Sequence, residues 1–99
     1  MSKPIYKFFM ARFTEAWHQL SEEEQKSLAA KVDATLEKVG AKRLILCNSD
    51  WSSEQWSLAG AEEFPDIEAV QKHTAALKEF NWFRYCDSAT LLGTKKESE

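Results

Sequence analysis

Apolar positions along the chain alternate between two textures, dense runs and helically spaced stripes. "PIYKFFMARF" (Pro4 to Phe13) is rich in aromatic and apolar residues and too short for an isolated helix, which predicts a first strand. The stretch "TEAWHQL" (Thr14 to Leu20) connects it to Ser21, a helix cap for which Glu24 completes a capping box, so a helix is expected from about Glu22. Leu28, Val32, Thr35, Leu36 and Val39 share one face of it, Lys26, Asp33, Glu37 and Lys38 point elsewhere, and Gly40 stops it.

The next dense run, "KRLILCN" (Lys42 to Asn48), reads as a second strand. After the polar "SDWSSE" comes "QWSLAGAEEF", in which Trp56 and Leu58 alternate with Gln55, Ser57 and Ala59, so the two runs form a hairpin. Phe64-Pro65-Asp66 breaks the strand, Asp66 caps a second helix over Ile67 to Phe80, and "WFRYCDSATLLG" supplies the last strand. The order βαββαβ is the ferredoxin-like arrangement of the α+β class, a four-stranded antiparallel sheet with both helices on one face. One domain over 1–94 and a disordered charged tail over 95–99 are expected.

The bare face of that sheet is the first functional clue. Tyr6, Phe8 and Met10 alternate with Ile5, Phe9, Ala11 and Phe13, and Leu44 and Leu46 with Ile45 and Cys47, so both faces are apolar where a solvated face would be polar. The economical cover is a second copy, which predicts a homodimer through the sheet face.

Composition then removes alternatives. The 99 residues are 43% hydrophobic with a net charge of −3, which suits one compact core and offers no basic stripe for nucleic acid or an acidic membrane. The first apolar run is interrupted by Lys7 and Arg12 and is too short to span a membrane, so a cytoplasmic protein is expected. Cys47 and Cys86 form no CxxC, and the fold sends their strands to opposite sheet edges, so buried free thiols are expected. Phosphate-binding glycine loops, HExxH and G-x-S-x-G are absent; no cofactor is expected, and the spacing does not favour haem.

The second helix carries the sharpest signal. At about 100° per residue, Ile67, Val70, Thr74 and Leu77 form one stripe and Ala69, Ala76 and Phe80 an adjoining one, with His73 near the middle of the apolar side. It is the one ionisable group there, and burial disfavours its charged form and requires partners for its nitrogens. Two readings are open: a core histidine satisfied by a backbone carbonyl or by a sheet side chain such as Tyr6 or Tyr85, or a neutral general base or orienting hydrogen-bond donor with a near-neutral pKa in a small apolar pocket.

"FPDIEAVQKHTAALKEF" resembles the corresponding helix of the antibiotic-biosynthesis-type monooxygenases, and the chain from about Ile5 to Thr94 resembles the dimeric α+β barrel superfamily, Dabb-type barrels included. His73 and Phe80 take the matching positions, while Leu77 stands where that family often carries a second histidine. The resemblance implies a cofactor-independent enzyme of monooxygenase, cyclase or lyase type, acting on a small apolar or aromatic molecule between helices and sheet. His73 would be its catalytic residue, with Tyr6, Phe8, Trp17, His18, Trp51 and Tyr85 around the substrate. Trp17, His18 and Trp51 lie on expected loops, where ligand contacts, dimer contacts and plain solvation are all open. Asn48 and Asp50 suit a pocket mouth or a turn, and Arg12, Arg84 and Asp87 a site or a structural ion pair. The alternative is a non-catalytic ligand-binding or assembly protein of the same fold.

Overall fold

A computed structural model describes residues 3–97, and within them the elements run β1 (Ile5–Phe13), α1 (Glu15–His18), α2 (Glu22–Lys38), β2 (Lys42–Asn48), β3 (Leu58–Phe64), α3 (Ile67–Glu79), α4 (Trp82–Tyr85) and β4 (Cys86–Gly93). Local chemistry sets the helix ends as the sequence implies. Ser21 Oγ accepts from the Glu24 amide at 3.1 Å while Glu24 accepts from the Ser21 amide at 2.9 Å, and Asp66 accepts from the Ala69 amide at 2.8 Å. Gly40 has φ of 78°, a left-handed value that glycine adopts without a Cβ clash, and it turns the chain from α2 into β2.

The four strands pair antiparallel in the order β2-β3-β1-β4, the ferredoxin-like α+β fold. Two short helices were not expected. Asn81 takes a left-handed conformation, φ 59°, and restarts the chain as α4, so Trp82 to Tyr85 are helical and the last strand begins only at Cys86. β3 likewise begins at Leu58, leaving Trp56 in the connection with its amide donating to Ser53 Oγ at 3.0 Å. Of the charged tail, residues 95–97 form neither helix nor strand, and residues 98–99 lie outside the described part.

Strand register decides which side chains meet the helices. Cross-strand partners share a face, so Ile5, Lys7, Phe9, Ala11 and Phe13 point towards the helices with Phe64, Glu62, Gly60 and Leu58, while Tyr6, Phe8, Met10 and Arg12 point away. β2 carries a bulge between Arg43 and Ile45. It shifts the phase so that Arg43 and Leu46 both face the helices, with Ile45 and Cys47 on the other side. That differs from simple alternation, which would pair Leu44 with Leu46.

The tightest packing lies at one end of the helix side, where Leu36 of α2, Phe64 of β3 and Ala69 and Val70 of α3 bury one another, flanked by Ile5, Val39 and Ala41. The other sheet face is open and apolar: Phe8 is 49% exposed, Ile45 56% and Leu91 69%, around Ala59, Ala61 and Ala89. Cys86 is buried, but Cys47 is exposed on this bare face, which corrects the expectation of two buried thiols. Both are free, on opposite edge strands as expected.

Candidate functional site

Elsewhere on the helix side, α2, α3 and α4 line a cleft of about 350 Å³ together with the sheet. Phe9, Phe13, Leu58, Leu46, Trp82 and Phe83 make its walls largely apolar; Ser88 and Thr90 bring hydroxyls from β4. His73 reaches it from the middle of α3, between Val70 and Leu77, both buried. A larger groove of about 790 Å³ runs along the outer sides of α2 and α3, but none of its ionisable residues is buried, and it offers surface without chemistry.

His73 is 2% exposed, and among the described residues neither Nδ1 nor Nε2 has a hydrogen-bond partner. The reading in which a carbonyl, Tyr6 or Tyr85 satisfies the ring is therefore not met. Its nearest ring is Phe64, 5.3 Å between centroids and tilted by 59°. Burial, then the charges of Lys7 and Arg43, push its pKa down to about 4, well below the near-neutral value expected. The imidazole is neutral at physiological pH, with one donor and one acceptor nitrogen unspent.

The charges responsible were not anticipated. Lys7, Glu62 and Arg43 occupy matched positions on β1, β3 and β2, forming a row across the cleft floor. Glu62 is only 5% exposed, and burial raises its pKa against the opposing pull of Lys7 and Arg43. Arg43 approaches Glu62 at 3.7 Å through Nε and Asp33 of α2 at 3.0 Å through Nη1. Burial lowers the Lys7 pKa, and the charge of Glu62 partly restores it. In the sequence Lys7 stands out only as a break in an apolar run. The test applied to His73, a lone ionisable group on an apolar face, selects it equally once the strand's two faces are told apart.

Of the other expected site residues, none lines the cleft with His73. Tyr6 and Phe8 lie on the opposite sheet face, a correction that follows from register, because the helix-facing set of β1 is the odd-numbered one. Tyr85 sits in α4, where its carbonyl accepts from the Thr14 amide at 3.0 Å. Trp17 stacks on Phe13 at 4.5 Å and meets Trp82 edge-on at 5.8 Å, backing two wall residues from behind. His18 is exposed at the end of α1. Trp51 is 83% exposed, with its indole donating to the Asn48 carbonyl at 3.1 Å. Arg12 and Asp87, cross-strand neighbours on the open face, pair at 3.4 Å, while Arg84 belongs to α4.

A histidine that ligates haem iron or another metal ordinarily gives its second ring nitrogen to a carboxylate or carbonyl. His73 has no such partner among the described residues. Among the described residues no cluster of three histidine, cysteine or carboxylate side chains is placed to hold a metal ion, and no helix is long and apolar enough to cross a membrane.

No protein-family model matches the chain, and no curated protein matches it in sequence. Solved structures do match in shape. Chlorite dismutase from Candidatus Nitrospira defluvii superposes with a TM-score of 0.77 at 17% identity, over 99% of this chain and 42% of that one. A Rhodopseudomonas palustris protein of unknown function gives 0.66 at 14% identity, over 99% and 86% of the two chains. A hypothetical protein of Arabidopsis thaliana gives 0.60 at 17% identity, over 99% and 93%. At these identities the likeness is one of fold, and the chain spans less than half the length of the dismutase it matches.

Proposed function

We propose that the cleft beneath α3 is a small-molecule site in which His73 moves a proton on an apolar or aromatic substrate without a cofactor, within a cytoplasmic homodimer. One observation carries the reading: a histidine 98% removed from solvent, both nitrogens without a partner among the described residues, lining a cleft. An orphaned polar group in a core costs about 1–3 kcal/mol, a cost that persists where function uses the group.

The chemistry follows from the groups present. The unprotonated ring nitrogen takes a proton from carbon next to a carbonyl, the C–H electron pair becomes the new carbon–carbon double bond, the carbonyl π pair moves onto oxygen, and the charge that develops there is met by the Lys7 ammonium. With a pKa of about 4 the free imidazole is a weak base. A developing anion beside it favours the protonated ring, so its basicity rises as the reaction proceeds.

The dimer rests on the open face, where exposed Phe8, Met10, Ile45 and Leu91 surround a floor of alanines. A second copy packing sheet to sheet would bury them.

Deuterium exchange tests the proton transfer. Phenylpyruvate and the neutral ketone 2-tetralone, each in D₂O with the wild type and with His73→Phe, are followed by the loss of their acidic methylene proton signals. Exchange with at least one of them that is faster with wild type and lost in the variant supports the assignment; equal rates for both rule it out. A Soret band that shifts on titration with haem and disappears in His73→Phe would overturn the cofactor-independent reading.

A further inference from the structure

The cleft contains a charge pattern that apolar walls do not require, and with the cleft taken as a ligand site, as proposed above, the pattern narrows the ligand. Across the floor Lys7, Glu62 and Arg43 stand side by side on three adjacent strands. Arg43 is committed on both sides, to Glu62 and to Asp33. Lys7 is only partly exposed, yet makes no ion pair within 4.0 Å among the described residues. His73, almost fully buried and also without a partner, lines the same space. The row Lys7, Glu62, Arg43 sums to one positive formal charge. Asp33, the remaining acid, is 64% exposed on α2, where water screens it.

We infer that the cleft takes a singly charged organic acid, an apolar or aromatic body bearing one carboxylate, with that carboxylate held between the Lys7 ammonium and the His73 imidazole. Lys7 supplies the charge, and the neutral imidazole supplies an N–H to one oxygen. Phe9, Phe13, Trp82 and Phe83 receive the body. A neutral ligand leaves Lys7 without its counter-ion in a partly desolvated place. A dianion such as a phosphate monoester meets the Glu62 carboxylate next to Lys7, which disfavours the second charge.

The test compares phenylacetate with phenylacetamide, similar in shape but uncharged, by calorimetry and by amide chemical shifts of the labelled protein. Phenylacetate is expected to shift the amides of Lys7, Glu62 and His73 and to bind at least about tenfold more tightly than phenylacetamide. Lys7→Met should lose that advantage, leaving acid and amide about equal, and Lys7→Arg should restore it. Equal affinities in the wild type, or a full advantage retained in Lys7→Met, overturn the acid preference and leave the cleft as a site. Failure of both probes to shift these amides also overturns it. The underlying site reading falls as well only when the deuterium exchange of phenylpyruvate and 2-tetralone is independent of His73.

Discussion

Replacing His73 with leucine removes two buried nitrogen atoms that have no partner among the described residues and puts in a side chain of similar bulk with a better helix propensity, so the expected change in stability is a gain. Relief of the orphaned atoms is worth about 1–3 kcal/mol, and imperfect packing against Phe64 returns part of it, leaving about 1–2 kcal/mol at pH 7.5. The pH dependence is more specific. The unfolded imidazole titrates near 6.5 and the folded one near 4, because burial first and then Lys7 and Arg43 oppose its protonation. Between those values the unfolded chain binds a proton that the native protein does not. The histidine's contribution to stability is thus complete above about pH 6.5 and is lost as pH falls towards 4, by about 3 kcal/mol at ~1.4 kcal/mol per pH unit. Burial also raises the Glu62 pKa, so the wild-type minus variant difference is what isolates His73. Urea unfolding followed by tryptophan fluorescence at pH 7.5, 6, 5 and 4.5 measures it. The variant's advantage should widen steadily on acidification. A variant less stable than wild type by more than about 1 kcal/mol at pH 7.5, with an unchanged pH profile, would show a satisfied structural histidine and refute the reasoning.

Three further outcomes are expected. Gly60→Ala places a Cβ 2.6 Å from the Ile45 carbonyl oxygen and 2.7 Å from the Phe9 ring, so it should cost about 1–3 kcal/mol in thermal or urea unfolding; a neutral result would show that β2 yields freely. Paired Phe8→Lys and Leu91→Lys substitutions put like charges directly across β1 and β4 on the open face, and sedimentation should report a dimer for wild type and a monomer for the variant; a monomeric wild type removes the homodimer. Thiol labelling at pH 8 should modify Cys47 quickly only in that monomeric variant, while Cys86, buried and with its pKa pushed up to about 11, reacts slowly in both; equally fast Cys47 labelling in wild type places the dimer contact elsewhere.

Helix ends were legible because they are local. Ser21 with Glu24, Asp66 before Ile67, and Gly40 each act within a turn, and all three do what their spacing implies. The βαββαβ order followed from alternating textures, and His73 from its place on one helix. What could not be read depends on pairing between segments. β1 is apolar on both faces, so its sequence does not say that Lys7, rather than Tyr6 or Phe8, turns towards the helices; that is fixed by β3 and β4 beside it. Glu62 joins the site through its pairing with Lys7 of β1, and Arg43 faces the same side as Leu46 only because a bulge follows it in β2. α4 was missed because Trp82 to Tyr85 have ordinary strand composition, and a single left-handed residue, Asn81, overrides it.

The bulge in β2 also bears on how reliably the sheet assembles. From Leu44 to Cys47 every side chain is apolar, so a slip by one residue exchanges apolar for apolar, and hydrophobic burial barely distinguishes the right alignment from the wrong one. The distinguishing contacts are Arg43 opposite Glu62 and the close seat at Gly60 beneath the Ile45 carbonyl. The charged row thus doubles as an alignment key: neutralising Glu62 would weaken the cleft and also loosen the choice between two strand pairings, exposing an edge prone to joining the wrong neighbour.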